Sequence, residues 1–418
     1  MDLGRGVCGL IRTLMAFVTV SACLSPLTAR PEKNNDTGPK PDLRIPVAPL
    51  GYVAPNSFYL ISRLSSVSLD FIDDNHLLFT FRVPGLMKRL PECPPGDEDQ
   101  SIRAVVVKLP EGEVVSQADW RMHDHSRYLW RLDNGRFLVR QRSTLFSTDK
   151  SLALEQYIHS ETPLASVQIS PDRKVMVVEA EAKKEAHKTV ASTAPTLGAP
   201  DTDAKPIQLF VLRTETRDVI AHSEALDAVE VPLVSEGYLQ ALAAKQGKWM
   251  IRYRPFKGEP QPLAEVDSTC HPTVETLSKD VSLVIACPRS GSDHIVTAVN
   301  LEGKKLWEQK WESRYIWPTF QLAQDGSRFA FSSLEVAHPV STMDPIDESN
   351  IVNQMVGVFD THTGHLDLVK TASPILSAGQ NYALSANGQQ VAILREGAIE
   401  VYRLAPVASE AAPTPEKK

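Results

Sequence analysis

The chain has 418 residues, 42% of them apolar, and a formal net charge of −7 at neutral pH. That length and apolar content suffice for a large core, as two domains or as one repeat array. The acidic balance excludes a broad nucleic-acid-binding surface, which needs a basic excess, so no nucleic-acid partner is expected.

The first element is an export signal. MDLGRGVCGLIR carries Arg5 and Arg12, and the apolar run TLMAFVTVSA that follows is too short to span a bilayer as a stable helix. The run ends in VSAC, residues 20–23, which resembles the bacterial lipobox: a branched aliphatic residue, two small residues and a cysteine. The resemblance implies that residues 1–22 are a signal peptide and that Cys23 carries the lipid, so the protein meets the membrane through that anchor. Cleavage after Ala29 would instead give a freely secreted protein. Leu24 stands where enterobacterial lipoproteins retained at the inner membrane carry Asp. The expected location is the bacterial cell envelope, facing the periplasm or the surface, or otherwise outside the cell. Residues 23–56 are rich in Pro, Asn and Lys without an apolar period and read as a disordered tether, and residues 405–418 read as a disordered tail.

Between them, one pattern recurs. FIDDNHLLFTF, WRLDNGRFLVRQ, ISPDRKVMVVEA, ETLSKDVSLVIA, QLAQDGSRFAFSS and ALSANGQQVAILR each join an apolar strand, a tight turn of Asp, Asn, Gly or Ser, and a more apolar strand. A second hairpin follows most of them, as in RAVVVKLPEGEVVSQADW and HIVTAVNLEGKKLWEQKW. The unit is therefore four strands, A to D, recurring roughly every 40–60 residues, the range of propeller blades. VPLVSEGYLQALAAKQGKWMIRYRPFKGEPQPLAEV fits as a fourth copy with short connections. First strands are expected near Val67, Tyr128, Ser166, Val231, Pro272, Pro318 and Gln380. The last copy has only three strands, and SFYLISRL, residues 57–64, is the expected outer strand, closing the ring and leaving no open edge.

On these repeats, residues 57–404 resemble a seven-bladed WD40-like β-propeller, an all-β fold, with a pair of β-sandwiches as the alternative. SPD at residues 170–172 is similar to the SPDG turn of bacterial propeller repeats, with Arg173 where glycine is usual. NLEGKKLWEQKW resembles the Gly-Lys-x-x-Trp turn of quinoprotein-type repeats, in which such tryptophans dock neighbouring blades, so Trp307 is expected to be structural. Some propellers of that class are outer-membrane lipoproteins that act as assembly scaffolds, an analogy of shape and address.

The long insertions all fall between strands B and C, in the first, third and sixth copies. In a propeller the B–C and D–A connections share one face, and insertions concentrated on one face mark a binding face or are tolerated ornaments. The D–A connections would place His123, Asp124, His125, His159, His271, Arg314, Tyr315 and Trp317 on that face. Several histidines around a channel could hold a metal, but these have no ligand spacing, and they read as solvated loop residues, with no metal or cofactor expected. No nucleophile elbow, phosphate loop or dinucleotide fingerprint is present, and no catalytic residue is assigned. Cys93 reads as a lone, non-catalytic thiol. Cys270 and Cys287 flank the A–B hairpin of the fifth copy; a two-residue turn would set them opposite each other as a disulfide, whereas a bulge would separate them. The leading expectation is a non-enzymatic scaffold, monomeric by itself, that contacts an envelope protein or a glycan through its loop-bearing face. The alternative is a propeller enzyme, a hydrolase or quinone-dependent dehydrogenase, with its site at the central channel.

Overall fold

A computed structural model describes residues 39–54, 66–85, 87–88, 90, 99–123, 127–182, 206–226, 228–338, 348–376 and 380–407. These residues form seven four-stranded antiparallel sheets arranged as a β-propeller. Blade 1 comprises β2 (Ser68–Asp73), β3 (His76–Val83), β4 (Gln100–Lys108) and β5 (Glu113–Met122). Blade 2 comprises β6 (Leu129–Arg131), β7 (Phe137–Gln141), β8 (Thr144–Thr148) and β9 (Glu155–His159). Blade 3 comprises β10 (Leu164–Ile169), β11 (Val175–Glu181), β12 (Ile207–Arg213) and β13 (Val219–Ala225). Blade 4 comprises β14 (Leu233–Val234), β15 (Gly237–Ala243), β16 (Lys248–Pro255) and β17 (Gln261–Asp267). Blade 5 comprises β18 (Thr273–Thr276), β19 (Val281–Ala286), β20 (His294–Asn300) and β21 (Lys305–Trp311). Blade 6 comprises β22 (Tyr315–Leu322), β23 (Arg328–Val336), β24 (Ile351–Asp360) and β25 (Leu366–Thr371).

Blade 7 is shared between the two ends of the chain. Its first three strands are β26 (Tyr382–Leu384), β27 (Gln390–Arg395) and β28 (Ala398–Arg403), and its outer strand is β1 (Leu43–Pro46), antiparallel to β28. The ring thus closes by an N-terminal strand, but not by the expected one. Residues 57–64 lie outside the described residues, and the closing strand falls within the stretch read as tether. Pro46 can end β1 because an outermost strand has one edge that needs no donor. The seam is reinforced by Asp42 N–H to the Val401 carbonyl at 2.8 Å and Arg403 N–H to Asp42 Oδ2 at 2.7 Å.

The A–B turns use one recurring device. Ser170, Ser278 and Ser385 each donate from Oγ to the acid or amide two residues on, Asp172, Asp280 and Asn387, at 2.7–2.8 Å. Each Oγ also accepts an N–H from the start of the next strand, Val175, Val281 and Gln390, at 2.9–3.0 Å. A short polar side chain thereby satisfies backbone donors that the reversal leaves unpaired. The usual left-handed residue of such turns is Gly135, Gly326 or Gly388, and in blade 3 it is Arg173 with φ +61°.

The core consists of wedges between neighbouring blades. Between blades 5 and 6, Trp307, Trp311, Phe329, Phe331 and Phe359 pack together, with Phe331 and Phe359 stacked at 5.0 Å. Trp307 Nε1 donates to the Thr361 carbonyl at 2.9 Å, so this tryptophan docks blade 5 onto blade 6.

Cys270 and Cys287 are disulfide-bonded with Cα atoms 5.6 Å apart. The turn between β18 and β19 is longer than two residues, and the ladder pairs Thr273 with Ile285, a register that would put residue 271 opposite Cys287. The bridge forms despite the offset because Cys270 precedes β18 and is free of the ladder. Thr269 N–H reaches the Cys287 carbonyl and Cys287 N–H reaches Ser268 Oγ, both at 3.0 Å, which brings the D–A connection alongside the end of β19.

Candidate functional site: a charged channel and a rim groove

The first strands surround the propeller axis. Ser68 and Gln380 form a parallel bridge between blades 1 and 7, and Gln380 N–H donates to the Val67 carbonyl at 2.9 Å. Side chains alternate along a strand, so successive residues of each first strand face the two neighbouring blades. Charged residues stand among them. Asp70 of β2 is buried, accepts from Ser68 Oγ at 3.0 Å and lies 3.4 Å from Gln380 Nε2. Desolvation raises its pKa against the lowering fields of Arg131 and Arg127. Arg131 of β6 donates from Nη1 to the Leu384 carbonyl of blade 7 at 3.2 Å. Arg127, just before β6, is exposed, yet its guanidinium is desolvated enough to lower its pKa and it senses Asp70 and Tyr382 of two other blades.

The end of the channel beside the A–B turns is spanned by a bridge. Arg173 Nη1 donates to Gln324 Oε1 at 2.9 Å, and Gln324 Nε2 donates to Asp133 Oδ1, linking the turns of blades 3, 6 and 2. Burial lowers the Arg173 pKa to about 9. The unusual residue of the SPD turn therefore has a task that glycine could not perform. On β18, Glu275 is pushed up to about 7, first by desolvation and then by the nearby Glu230 carboxylate.

The opposite face, with the B–C and D–A connections, carries a groove of about 780 Å3 between blades 2 and 3. Blade 2 is small: β7, β8 and β9 have five residues each, whereas β11, β12 and β13 have seven. The longer strands overhang their neighbour and leave Val178, Phe210 and Leu212 on the groove floor, with His159, His222 and Glu224 at its rim. Ala182 and Pro206, the described ends of the blade 3 B–C connection, also line it.

The residues expected on this face are placed singly. His123 follows β5 and pairs with Asp99 at 2.5 Å, beside Arg121 on the same carboxylate. Asp124 and His125 lie outside the described residues, as do Cys23 and Cys93. His159 Nδ1 meets Thr144 Oγ1 at 2.9 Å and is the one member of this set that lines the groove. His271 is exposed and packs edge-on to Trp249 at 4.8 Å. Arg314 stacks over Tyr315 at 4.8 Å and bonds Glu312 at 2.6 Å and Glu335 at 3.1 Å. Trp317 belongs to β22. Each described contact stays within a blade or its own connection, and no group of His, Cys, Asp or Glu among the described residues has the arrangement of a metal site. The charged channel residues were missed by sequence reasoning. Their signal is a charge flanked by apolar residues in a first strand, as Asp70 in SLDFID and Arg131 in YLWRL.

No family model and no curated protein matches the chain. Solved structures do match. Pyrococcus horikoshii acylaminoacyl peptidase is 10% identical with a TM-score of 0.48, over 80% of this chain and 49% of that one. The β-propeller domain of the trilobed protease from Pyrococcus furiosus is 8% identical with a TM-score of 0.45, over 84% and 99%. A putative TolB from Agrobacterium tumefaciens is 13% identical with a TM-score of 0.39, over 70% and 95%. The chain spans about half the length of the peptidase, and the likeness extends to the fold alone.

Proposed function

We propose that this protein is a binding propeller of the bacterial envelope, a non-enzymatic scaffold that contacts an envelope protein or glycan through the face bearing the B–C connections. The observation that carries this reading is the groove between blades 2 and 3, a concave site with an apolar floor and a polar rim that opens on that face. The turn face offers the contrast, with short reversals and a bridged channel end. The disulfide agrees with an oxidising, exported setting. Export by the signal at residues 1–22 and anchoring through Cys23 belong to the same reading, as does a WD40-like repeat, supported by the Ser-x-Asp/Asn turns and the closing outer strand.

A photo-crosslinking residue placed at His222, in the groove, and at Thr363, on the turn face, tests the contact in the native host. Crosslinked partner from position 222 alone is expected; equal yields, or yield from 363 alone, would reject the assigned face. Cys23→Ala is expected to move the protein from the membrane to the soluble fraction, and unchanged fractionation would remove the anchor.

A second reading, an enzyme working at the channel, draws on one observation. Glu275 has a pKa near neutrality, as a general acid–base group requires. A hydrolytic or redox activity abolished by Glu275→Gln would favour it over the scaffold.

A further inference from the structure

The groove between blades 2 and 3 carries charge of one sign. Among the described residues that line it are three carboxylates, Glu161, Glu181 and Glu224, and no lysine or arginine. Arg140, Arg142 and Arg217 stand outside the lining. Arg140 donates to the Leu164 carbonyl at 3.0 Å, and Arg217 lies over the Tyr157 ring at 5.7 Å. The two histidines of the groove are engaged, His159 with Thr144 Oγ1 at 2.9 Å and His222 with Gln208 Oε1. Gln208 turns its amide nitrogen to Glu224 Oε1 at 2.6 Å, so this exposed carboxylate accepts from an amide rather than from a cation.

The ladder sets these groups in order. Across β12 and β13, Phe210 pairs with His222 and Gln208 with Glu224, and the Phe210 and His222 rings stack at 4.7 Å. Phe210 is half-buried, and Val219 at the start of β13 is 55% exposed, so apolar surface adjoins the acidic end. Glu224 stands two residues beyond His222, about 7 Å along the strand. Resting on the assignment of this groove as the contact site, we propose that its occupant is an extended basic segment of a partner protein, with an apolar side chain on Phe210 and a lysine or arginine two residues along at Glu224. Alternate residues of an extended chain share a face, so the recognised pattern is apolar, any residue, basic. Glu161 and Glu181 continue the negative surface where the D–A and B–C connections begin, and an acidic segment would meet like charge there. A neutral glycan gains nothing from the charge.

Anisotropy titration of the purified full chain with a labelled, capped peptide, Leu-Ser-Lys-Ser-Leu-Ser-Lys, tests the proposal. Saturable binding that weakens with added salt is expected. The same peptide with glutamate for lysine should not bind, and serine for leucine should bind more weakly. Glu224→Gln should weaken the lysine peptide by about two- to fivefold, the worth of one exposed ion pair. Phe210→Ala should weaken it by about fivefold or more, the loss of one aromatic contact. Glu302→Gln, on the turn face, should change nothing, and thermal melts verify that each variant is folded. Equal binding of the glutamate peptide, an unchanged affinity in Glu224→Gln, an equal loss in Glu302→Gln, or displacement of the peptide by chitotetraose would overturn the inference. Dimerisation of the chain that is lost in Glu224→Gln would assign the groove to a second copy and overturn it as well. Crosslinking from position 222 in the host together with failed titrations would overturn the basic segment alone and leave the assigned face standing. Peptide binding without that crosslink would uphold the selectivity of the groove and reject the face.

Discussion

The wedge between blades 5 and 6 and the wedge between blades 2 and 3 are built on the same strand order, yet the first is filled by aromatic rings while the second packs mostly aliphatic side chains and leaves a groove beside them. Five large aromatic side chains occupy the first, with Phe329 fully buried and Trp307 bonded across to the next blade. In the second, short strands of blade 2 face longer strands of blade 3, and a cavity of about 780 Å3 remains with Phe210 only half-buried. Aromatic packing of this kind supplies much of a fold's stability. On the groove floor Val178 and Leu212 are buried in the wedge core, and only the half-buried Phe210 leaves apolar surface that a ligand could cover. The difference separates regions that hold the ring from regions free to bind.

The largest test of that division is a pair of truncations. Phe329→Ala should cost about 3–5 kcal/mol by cavity formation, whereas Phe210→Ala should cost about 1 kcal/mol, because its ring is already partly hydrated. Equal losses in chemical denaturation would end the distinction. Next in size is the staple of blade 5. Cys270→Ser with Cys287→Ser opens a bridge of sequence separation 17, a loss of about 3 kcal/mol in the unfolded-chain entropy picture. A smaller loss would mean that the filled wedge fixes blade 5 without help.

Glu275 gives a pH-dependent test. Its folded pKa of about 7 lies above the unfolded value, so the folded state holds the proton more tightly. The resulting stability is complete below about pH 4.5 and is lost as pH rises through about 7. Glu275→Gln should therefore match the parent near pH 4 and exceed it by about 1–3 kcal/mol at pH 8, partial exposure having been discounted. A parallel pair of stability curves would refute the shift. The smallest effect is expected at Arg173→Gly. Relief of positive φ and loss of the Gln324 bond, each worth about 1 kcal/mol, nearly cancel, and denaturation midpoints should barely move. A large loss would make the channel bridge a structural tie comparable to the aromatic wedge.

Much of the ring was readable from residue order. The Ser-x-Asp turns of blades 3 and 5 and the Ser-x-Asn turn of blade 7 announce their hairpins through local chemistry, and even two-residue β14 is marked by the turn before Gly237. The closing strand was not readable. LRIP is four residues in a proline-rich stretch, and its partner lies at the other end of the chain, so nothing local marks it as a strand. The channel was hidden for a related reason. Asp70 and Arg131 stand in separate blades, and only the packing of blade 1 on blade 2 brings each into the other's field. The loop histidines His123, His159 and His271 are easily read from sequence, but their contacts with Asp99, Thr144 and Trp249 are local ones.

The closing strand also determines how the molecule answers a mechanical load. Tension applied to the chain ahead of Leu43 enters the disc through β1, which is held by four paired residues against β28. The ion pairs of Arg44 with Glu396 and Glu400, at 3.7 and 3.6 Å, sit on the same seam. Peeling that short strand removes the outer strand of blade 7 while β26, β27 and β28 remain a three-stranded sheet docked to blades 1 and 6. A pull on the chain therefore loads the ring first where it was joined.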